Sequence, residues 1–300
     1  MTGEGRMDAV TFEEELQEMV RVRGLAADSV HVLACRPGRR MTFLASEKST
    51  QVSRVYKIMS RKHAARLAMI LSHLAMASDI GWRIPKLIDW SDRWLEIEYL
   101  RGTPLFESLE NLPSHAGPVG ESLALLHDTN PPAAPLHDLD AERKVVLKAA
   151  SRCREPGAAL AARAAAALET LSAPEGADDR SDPVFLHRDF YDKQVLLDDV
   201  YPGLIDWDCA AIGPRCVDVG NFLAHVTLRR LQGRVSPANA RLGRDAFLSG
   251  YESSARSLDA GDLAYFENLA LLRLACVYAE RPGEEQTASS LLAIARGAES

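Results

Sequence analysis

What this chain lacks narrows its function first. It has no excess of positive charge: 35 Lys and Arg stand against 42 Asp and Glu, a net charge of −7. That balance gives no support for a general nucleic-acid or membrane surface. An acidic chain can favour a cationic substrate, but net charge does not describe one pocket. No stretch is long and apolar enough to span a bilayer. The Ala-rich run from Ala158 to Leu171 is broken by Arg163 and Glu169 and reads as a soluble helix. The N-terminus carries Glu4, Arg6, Asp8 and Glu13 to Glu15 where a secretory signal would need an apolar core. Metal-ligand spacing is missing from the five cysteines, Cys35, Cys153, Cys209, Cys216 and Cys276. They read as reduced thiols of a cytoplasmic protein. There is no internal repeat.

What is present is ordinary for a globular enzyme: 47% hydrophobic and 26% charged residues in a chain of 300. That length buries a large core in two lobes or two domains. Thr11-Phe-Glu-Glu14 is a capping box that predicts a short helix to about Arg23. His31-Val-Leu-Ala and Met41-Thr-Phe-Leu-Ala flank a Pro37-Gly38-Arg39 turn, a hairpin signal. Arg54 to Met59 predicts a third strand, with Lys57 in its middle. Residues 62–77 place Leu67, Ile70, Leu71 and Leu74 at helical spacing. Pro85 to Trp90 and Trp94 to Leu100 predict two more strands, and Arg101-Gly-Thr-Pro104 reads as a connector. Beyond it the pattern is mostly helical: one helix marked by Val119, Leu123 and Leu126, one or two over 141–171, and more from about Cys216 onward. Ala173 to Asp182 reads as a loop. Strands first and helices later predict an α+β fold, a small sheet lobe followed by a larger helical one.

The most informative stretch is His187-Arg-Asp189-Phe-Tyr-Asp-Lys-Gln194, followed by Ile205-Asp206-Trp-Asp208. It sets one carboxylate after His-Arg, an amide five residues on, and a second carboxylate closing the next apolar run. Phosphoryl transfer asks little covalent chemistry of a protein. It needs a carboxylate to orient the attacking hydroxyl and oxygens to hold Mg2+ against nucleotide phosphates. Asp189, Gln194 and Asp206 are the residue types for those tasks.

The order resembles the kinase pattern H-x-D-x-x-x-x-N followed by a metal-binding Asp. Asp189 takes the catalytic position, Asp206 the metal position, and Gln194 stands where Asn is expected. The short distance from Asp206 to Asp218 leaves no room for a long activation segment, and no A-P-E follows. With Gly213 to Asp218 and the Val-Gly-Asn-Phe-Leu after it, the chain resembles the aminoglycoside phosphotransferase and choline kinase-like family over roughly residues 30–290. The resemblance implies a bilobal kinase-like fold. Its small N-terminal antiparallel sheet lobe, with one main helix, binds the nucleotide (residues 1–100). Its mostly helical C-terminal lobe binds the acceptor and holds the catalytic groups (101–300). It implies ATP or GTP in the cleft, Mg2+, and a small-molecule hydroxyl as acceptor.

The same resemblance assigns further residues. His187 organises the catalytic loop, and Asp218 hydrogen-bonds its backbone. Arg188 meets a phosphate or a carboxylate, or is a surface arginine. Asp208 is a turn residue or an auxiliary metal contact. Gln194 can ligate Mg2+ through its amide oxygen, with one methylene more than Asn. Lys57 resembles the strand lysine that touches the α- and β-phosphates. In the family a Glu on the following helix orients this lysine, yet from Gln51 to Ser78 there is no Asp or Glu. The ion pair is then missing, or its carboxylate comes from elsewhere, such as the N-terminal helix. Arg36 to Arg40, with one glycine, is either a phosphate loop in which Arg39 participates or a plain hairpin turn. Glu98-Tyr-Leu100 looks like a hinge whose backbone at Glu98 and Leu100 bonds adenine. Tyr251, Glu252, Asp259, Asp262, Tyr265, Glu267 and Glu280 lie on the later helices, part of which build the acceptor pocket in this family.

Three functions are consistent with these residues. The first is an ATP- and Mg2+-dependent phosphotransferase for a small molecule (aminoglycoside-like, amino alcohol or sugar). The second is a kinase of a peptide or protein hydroxyl in a natural-product pathway. The third is a nucleotide-binding pseudokinase. Both key carboxylates favour the enzymes. A monomer or homodimer in the cytoplasm is expected, without nucleic-acid or membrane partners.

Overall fold

Alternating burial along the strand Arg40–Ser46 marks the inner face of the first sheet. In the computed structural model, residues 9–36, 39–49, 52–77, 80–174, 183–198, 201–254 and 257–297 are described, with the backbone alone for 9–12. The chain divides into two compact units, one of Met1–Ala77 and Ile84–Arg101, the other of Ser78–Arg83 and Gly102–Ser300.

The first unit opens with helix α1 (Ala9–Val22). Strands β1 (His31–Arg36), β2 (Arg40–Ser46) and β3 (Ser53–Met59) follow, then helix α2 (Arg61–Met76) and strands β4 (Leu87–Trp90) and β5 (Trp94–Glu98). The five strands form one sheet in the order β1-β2-β3-β5-β4, and every pairing is antiparallel. On one face Met41, Phe43, Ala45, Tyr56 and Ile58 are buried with Met19 of α1. Phe43 and Tyr56 stack there at 5.1 Å. A two-residue period sends the side chains between them, Lys57 among them, to the opposite face. Helix α2 buries Leu67, Ile70, Leu71 and Leu74 and packs against β3, β4 and β5. The capping box at Thr11 is not where the helix begins: α1 starts at Ala9, so Thr11 lies inside it. The Pro37-Gly38 part of the expected turn lies outside the described residues, as does most of the loop before residue 183.

The second unit carries helices α3 (Leu112–His127), α4 (Leu139–Ala150), α5 (Ala158–Thr170), α6 (Cys216–Leu231), α7 (Pro237–Ser254), α8 (Ala260–Ala279) and α9 (Glu285–Ala295). Alanine, the strongest helix former, accounts for α5. Asp138 caps α4, accepting from the Ala141 amide at 2.7 Å, and Asp259 caps α8, accepting from Gly261 and Asp262. Short strands β6 (Thr103–Pro104), β7 (Val184–Leu186), β8 (Val195–Leu197), β9 (Gly203–Leu204) and β10 (Ala211–Gly213) sit among the helices. They form two small sheets, β10-β7 and β6-β8-β9. No described helix is long and apolar enough to cross a membrane.

Helices α3 and α7 meet along glycines. A Cβ on Gly120 would stand 2.1 Å from the Phe247 carbonyl oxygen, and one on Gly250 would stand 2.1 Å from the Gly117 carbonyl oxygen. Neither backbone has a flexible end that can move aside. Gly120→Ala and Gly250→Ala are each expected to lower the unfolding free energy by about 3 kcal/mol, through overpacking. Urea denaturation of the two variants measures this, and an unchanged midpoint would refute so close an approach.

Candidate active site

Two antiparallel strand pairs bring the predicted stretch together. Strand β7 ends at Leu186, which pairs with Ala211 of β10. Strand β8 begins at Val195, which pairs with Leu204 of β9. The loop 187–194 therefore lies beside the turn 205–210. The backbone confirms the match, because the Ile205 amide donates to the Gln194 carbonyl at 3.0 Å. Asp189, Gln194 and Asp206 thus share one site in the second unit.

The loop is held by a buried carboxylate. Asp218, in the first turn of α6, is fully buried. Its two oxygens accept from the backbone amides of His187 and Arg188, each at 2.7 Å. His127 reaches the same carboxylate through Nε2 at 3.3 Å, and its Nδ1 meets the Tyr251 hydroxyl at 2.8 Å. The clamp carries Arg188 into the left-handed region, φ 66°, a conformation costing an L-residue roughly 1–2 kcal/mol. Asp206 is also left-handed, at φ 64° and ψ 56°.

His187 is buried. Its Nε2 lies 2.9 Å from the Ile205 carbonyl, and its Nδ1 accepts from the Asp189 amide at 3.3 Å. The ring meets Trp207 edge-on at 4.8 Å. Arg188 turns a guanidinium Nη1 toward the Cys209 carbonyl at 3.5 Å, while its Nε is buried without a protein acceptor among the described residues. Asp189 is half-buried, and Asp208 sits in a single 3-10 turn after Asp206. Gln194 is 8% exposed. Its side-chain amide makes no hydrogen bond among the described residues. Asn221 fixes the loop from below, donating to the Phe190 carbonyl at 2.9 Å and accepting from Arg273 at 2.6 Å.

Tyr191 stacks on His225 at 4.3 Å. Burial, followed by the charges of Asp189, Asp192 and Asp206, pushes its phenol up to about 12. One side chain therefore registers both candidate carboxylates. Asp192 makes a buried two-point contact with Arg229, at 2.7 and 3.0 Å. His225 is held well below its ordinary value by burial, then by Arg273, Arg229, Arg281 and Lys193.

The other predicted residues belong to the first unit. Lys57 is 4% exposed on β3, between Thr42 and Leu95. The N-terminal helix packs on the opposite face, that of Tyr56 and Ile58. Its Glu15 pairs with Arg93 at 2.5 Å. The expectation that this helix supplies a carboxylate for Lys57 is therefore corrected: it lies across the sheet from the lysine. Arg39 is exposed beside the hairpin turn, with its amide bonded to the Arg36 carbonyl at 3.0 Å. Glu98 ends β5, where its amide donates to the Lys86 carbonyl at 2.9 Å and its carboxylate accepts from the Lys86 amide at 3.2 Å. Leu100 follows beyond the strand and is half-buried.

Several tail residues turn out to be structural. Tyr251 serves the His127 chain, Glu267 pairs with Arg244 at 2.6 Å, and Asp259 caps α8. Tyr265 accepts from Arg143 at 2.9 Å, and Glu280 accepts from the Arg154 amide at 2.7 Å. His127, Asp192, Arg229 and His225 join the site without having been expected from the sequence. The partner of each lies far away in the sequence, so no local signal marks it.

Fold and site define a kinase-like phosphotransferase. Residues 39–256 match the model of the phosphotransferase enzyme family, APH. That span is most of the 300 residues, and the chain belongs to this family. It is a small-molecule phosphotransferase. No curated protein matches it in sequence. Among solved structures, it is similar to the amicoumacin kinase hAmiN in complex with AMP-PNP, Ca2+ and Ami (TM-score 0.66, 13% identity, 95% of this chain and 92% of that one). It is also similar to the aminoglycoside phosphotransferase APH(3'')-Id from Streptomyces rimosus (TM-score 0.61, 18% identity, 89% and 99% covered). A third is the choline kinase from Cryptosporidium parvum (TM-score 0.60, 13% identity, 94% of each chain). At these identities the likeness concerns the fold.

The His225 environment gives a pH prediction. Its folded value lies below the ordinary 6.5, so as pH falls below about 6.5 the unfolded chain takes up the proton first. Stability is complete above that pH and falls below it by up to about 1.4 kcal/mol per pH unit. Urea unfolding at about pH 7.5 and about pH 5.5 should show this loss, and His225→Gln should reduce it. Equal slopes in both proteins would rule out His225 as the cause.

Proposed function

We propose that this enzyme transfers the γ-phosphoryl group of ATP, or of GTP, to a hydroxyl of a small molecule with the help of Mg2+. What supports the reading is that Asp189 and Gln194 lie on one clamped loop and Asp206 on the turn beside it. Asp189 accepts or orients the proton of the acceptor hydroxyl. Its half-buried position leaves the carboxylate within reach of a substrate. His187 and Arg188 act by fixing the loop, through the Asp218 clamp and the bond to Ile205.

Asp206 and Gln194 would hold Mg2+, whose charge offsets that of the phosphates. The donor set fits. Both are oxygen ligands, and the buried Gln194 amide has no competing hydrogen bond among the described residues. No group of three His, Cys, Asp or Glu side chains is poised to hold a metal among the described residues. Mg2+ that is bound through phosphates and water needs only one or two protein oxygens. Residues 1–100 are read as the nucleotide-binding lobe. There Lys57 steadies the α- and β-phosphates, Arg39 approaches them, and the backbone at Glu98 and Leu100 bonds the purine. Residues 101–300 are read as the catalytic and acceptor-binding lobe. The similar amicoumacin kinase structure holds AMP-PNP and Ca2+, which supports a nucleotide with a divalent cation. We assign the protein to the cytoplasm, since no disulfide forms among its five cysteines, all within the described residues.

Nucleotide binding followed by thermal shift tests the metal site. ATP should raise the melting temperature only with Mg2+, by mass action, and Asp206→Asn should abolish the shift. Asp189→Ala should keep the shift and lower transfer by at least about a hundredfold. Full transfer activity in Asp189→Ala would falsify its role. Tight nucleotide binding without transfer to amino sugars, choline, simple sugars or peptides would point to a non-catalytic member.

A further inference from the structure

The chain is acidic, yet cations gather beside its catalytic loop. Phe106 is half-buried, and its amide donates to the Asp192 carbonyl at 3.1 Å. Three cationic groups sit over its ring: Lys193 Nζ at 4.3 Å, the Arg229 guanidinium at 4.8 Å and that of Arg234 at 5.4 Å. Arg229 is neutralised by Asp192 in the buried contact described above. Lys193 and Arg234 are exposed, and neither pairs with a carboxylate among the described residues.

A ring face attracts one cation by roughly 0.5–1 kcal/mol at exposed sites. Like charges gathered about one ring repel each other by a comparable amount. The arrangement gains most when an anion lies between the two unpaired cations. Its place in the chain gives that anion a role. Lys193 immediately precedes Gln194, and Tyr191 registers both Asp189 and Asp206. Burial first, and then the charges of Arg273, Arg229, Arg281 and Lys193, hold His225 below its ordinary value.

We propose that Lys193 and Arg234, seated on Phe106, form an anion subsite that holds a carboxylate or phosphate group of the hydroxyl-bearing acceptor. The substrate class is then an anionic small molecule, a hydroxy acid or a phosphorylated sugar, rather than a polycation. This rests on the phosphotransferase reading of Asp189. In the reaction the acceptor oxygen forms the new bond to the γ-phosphorus, and the bond to the bridging oxygen breaks. The nucleoside diphosphate leaves with that electron pair, and the hydroxyl proton passes to Asp189. The anion subsite orients the acceptor and takes no part in these bond changes. Nucleotide phosphates present the same chemistry to the two cations, and the test separates the two sources.

Transfer is measured on matched sets at fixed ionic strength: glycerate, glycerol and ethanolamine, then gluconate, glucose, glucosamine and glucose 6-phosphate. The anionic members should show kcat/KM at least about tenfold above the neutral ones. The double variant K193Q/R234Q should raise the KM for the anionic acceptor about tenfold. It should leave kcat and the nucleotide KM within about twofold, and Lys193→Arg should retain the wild-type KM. Preference for the amines, or a rise in nucleotide KM instead of acceptor KM, overturns the proposal. If no member is phosphorylated, thermal shifts with gluconate, glycerate and glucose 6-phosphate are compared between wild type and the double variant, with and without ADP and Mg2+. A shift lost in the variant supports the subsite, and equal or absent shifts overturn it. The arm without nucleotide reads the subsite even where the phosphotransferase reading fails, because it requires neither nucleotide nor transfer, whereas that failure shows itself as absent nucleotide response or as nucleotide binding without transfer.

Discussion

The buried carboxylate of Asp218 is the constraint on which the rest of the site depends. An ionised group out of water is costly unless its lone pairs are filled. Here two backbone amides and one imidazole fill them. Its position in the first turn of α6 adds the favourable end of the helix dipole. Satisfying that charge dictates the conformation of the loop. The adjacent amides of His187 and Arg188 can both face Asp218 only if the chain turns sharply, and Arg188 takes the left-handed conformation that results. Asp189 follows at once and is aimed by that turn. His127 extends the constraint into the helical core. It lies at the end of α3 and bonds Tyr251 of α7, so the glycine seam between those helices and the loop 187–194 belong to one connected structure.

A second tie works across the short strand pairs. His187 spans from the Asp189 amide to the Ile205 carbonyl, and Trp207 packs on that ring while donating to the Leu204 carbonyl at 2.9 Å. The left-handed residues Arg188 and Asp206 are the two non-glycine residues with positive φ among those described. Each flanks a candidate functional carboxylate or is one. Such strain persists where surrounding contacts over-determine it, and here the contacts are identifiable: Asp218 for one, the β8–β9 hairpin and His187 for the other. The turns carrying Asp189 and Asp206 are therefore fixed from the protein side, before any ligand contributes.

The legible parts of this chain were those with local periodicity or a fixed spacing. Strand β2 announced itself by an apolar run beside a turn signal, β3 by an apolar run around Lys57, α2 by Leu67, Ile70, Leu71 and Leu74, and the loop by its His-Arg-Asp order. Strands β6 to β8 and β10 did not, because two or three residues are too few to show a period. The Thr11 capping box failed for a related reason: the motif is short, and α1 begins before it. The polar pairs were illegible because their partners are distant in sequence. Asp192 and Arg229, or His127 and Tyr251, look alone in the sequence and are satisfied only after folding. The N-terminal helix was a plausible carboxylate source for Lys57 by composition. Sheet geometry excludes it, since residues adjacent on β3 point to opposite faces.

Net charge is silent about the pocket for a similar reason. A total of −7 invites a cationic substrate, but charges separated by more than about 8–10 Å are largely screened in salt. What a ligand meets is the local set. Near the loop the carboxylates are largely committed, Asp218 to the backbone and Asp192 to Arg229. In the proposed reaction Asp189 is engaged by the acceptor hydroxyl and Asp206 by the metal. Of the cations there, Lys193 and Arg234 are exposed over one ring. An acidic protein can thus present a basic pocket, because a fold is free to commit its carboxylates to clamps and caps and leave its lysines and arginines facing the substrate.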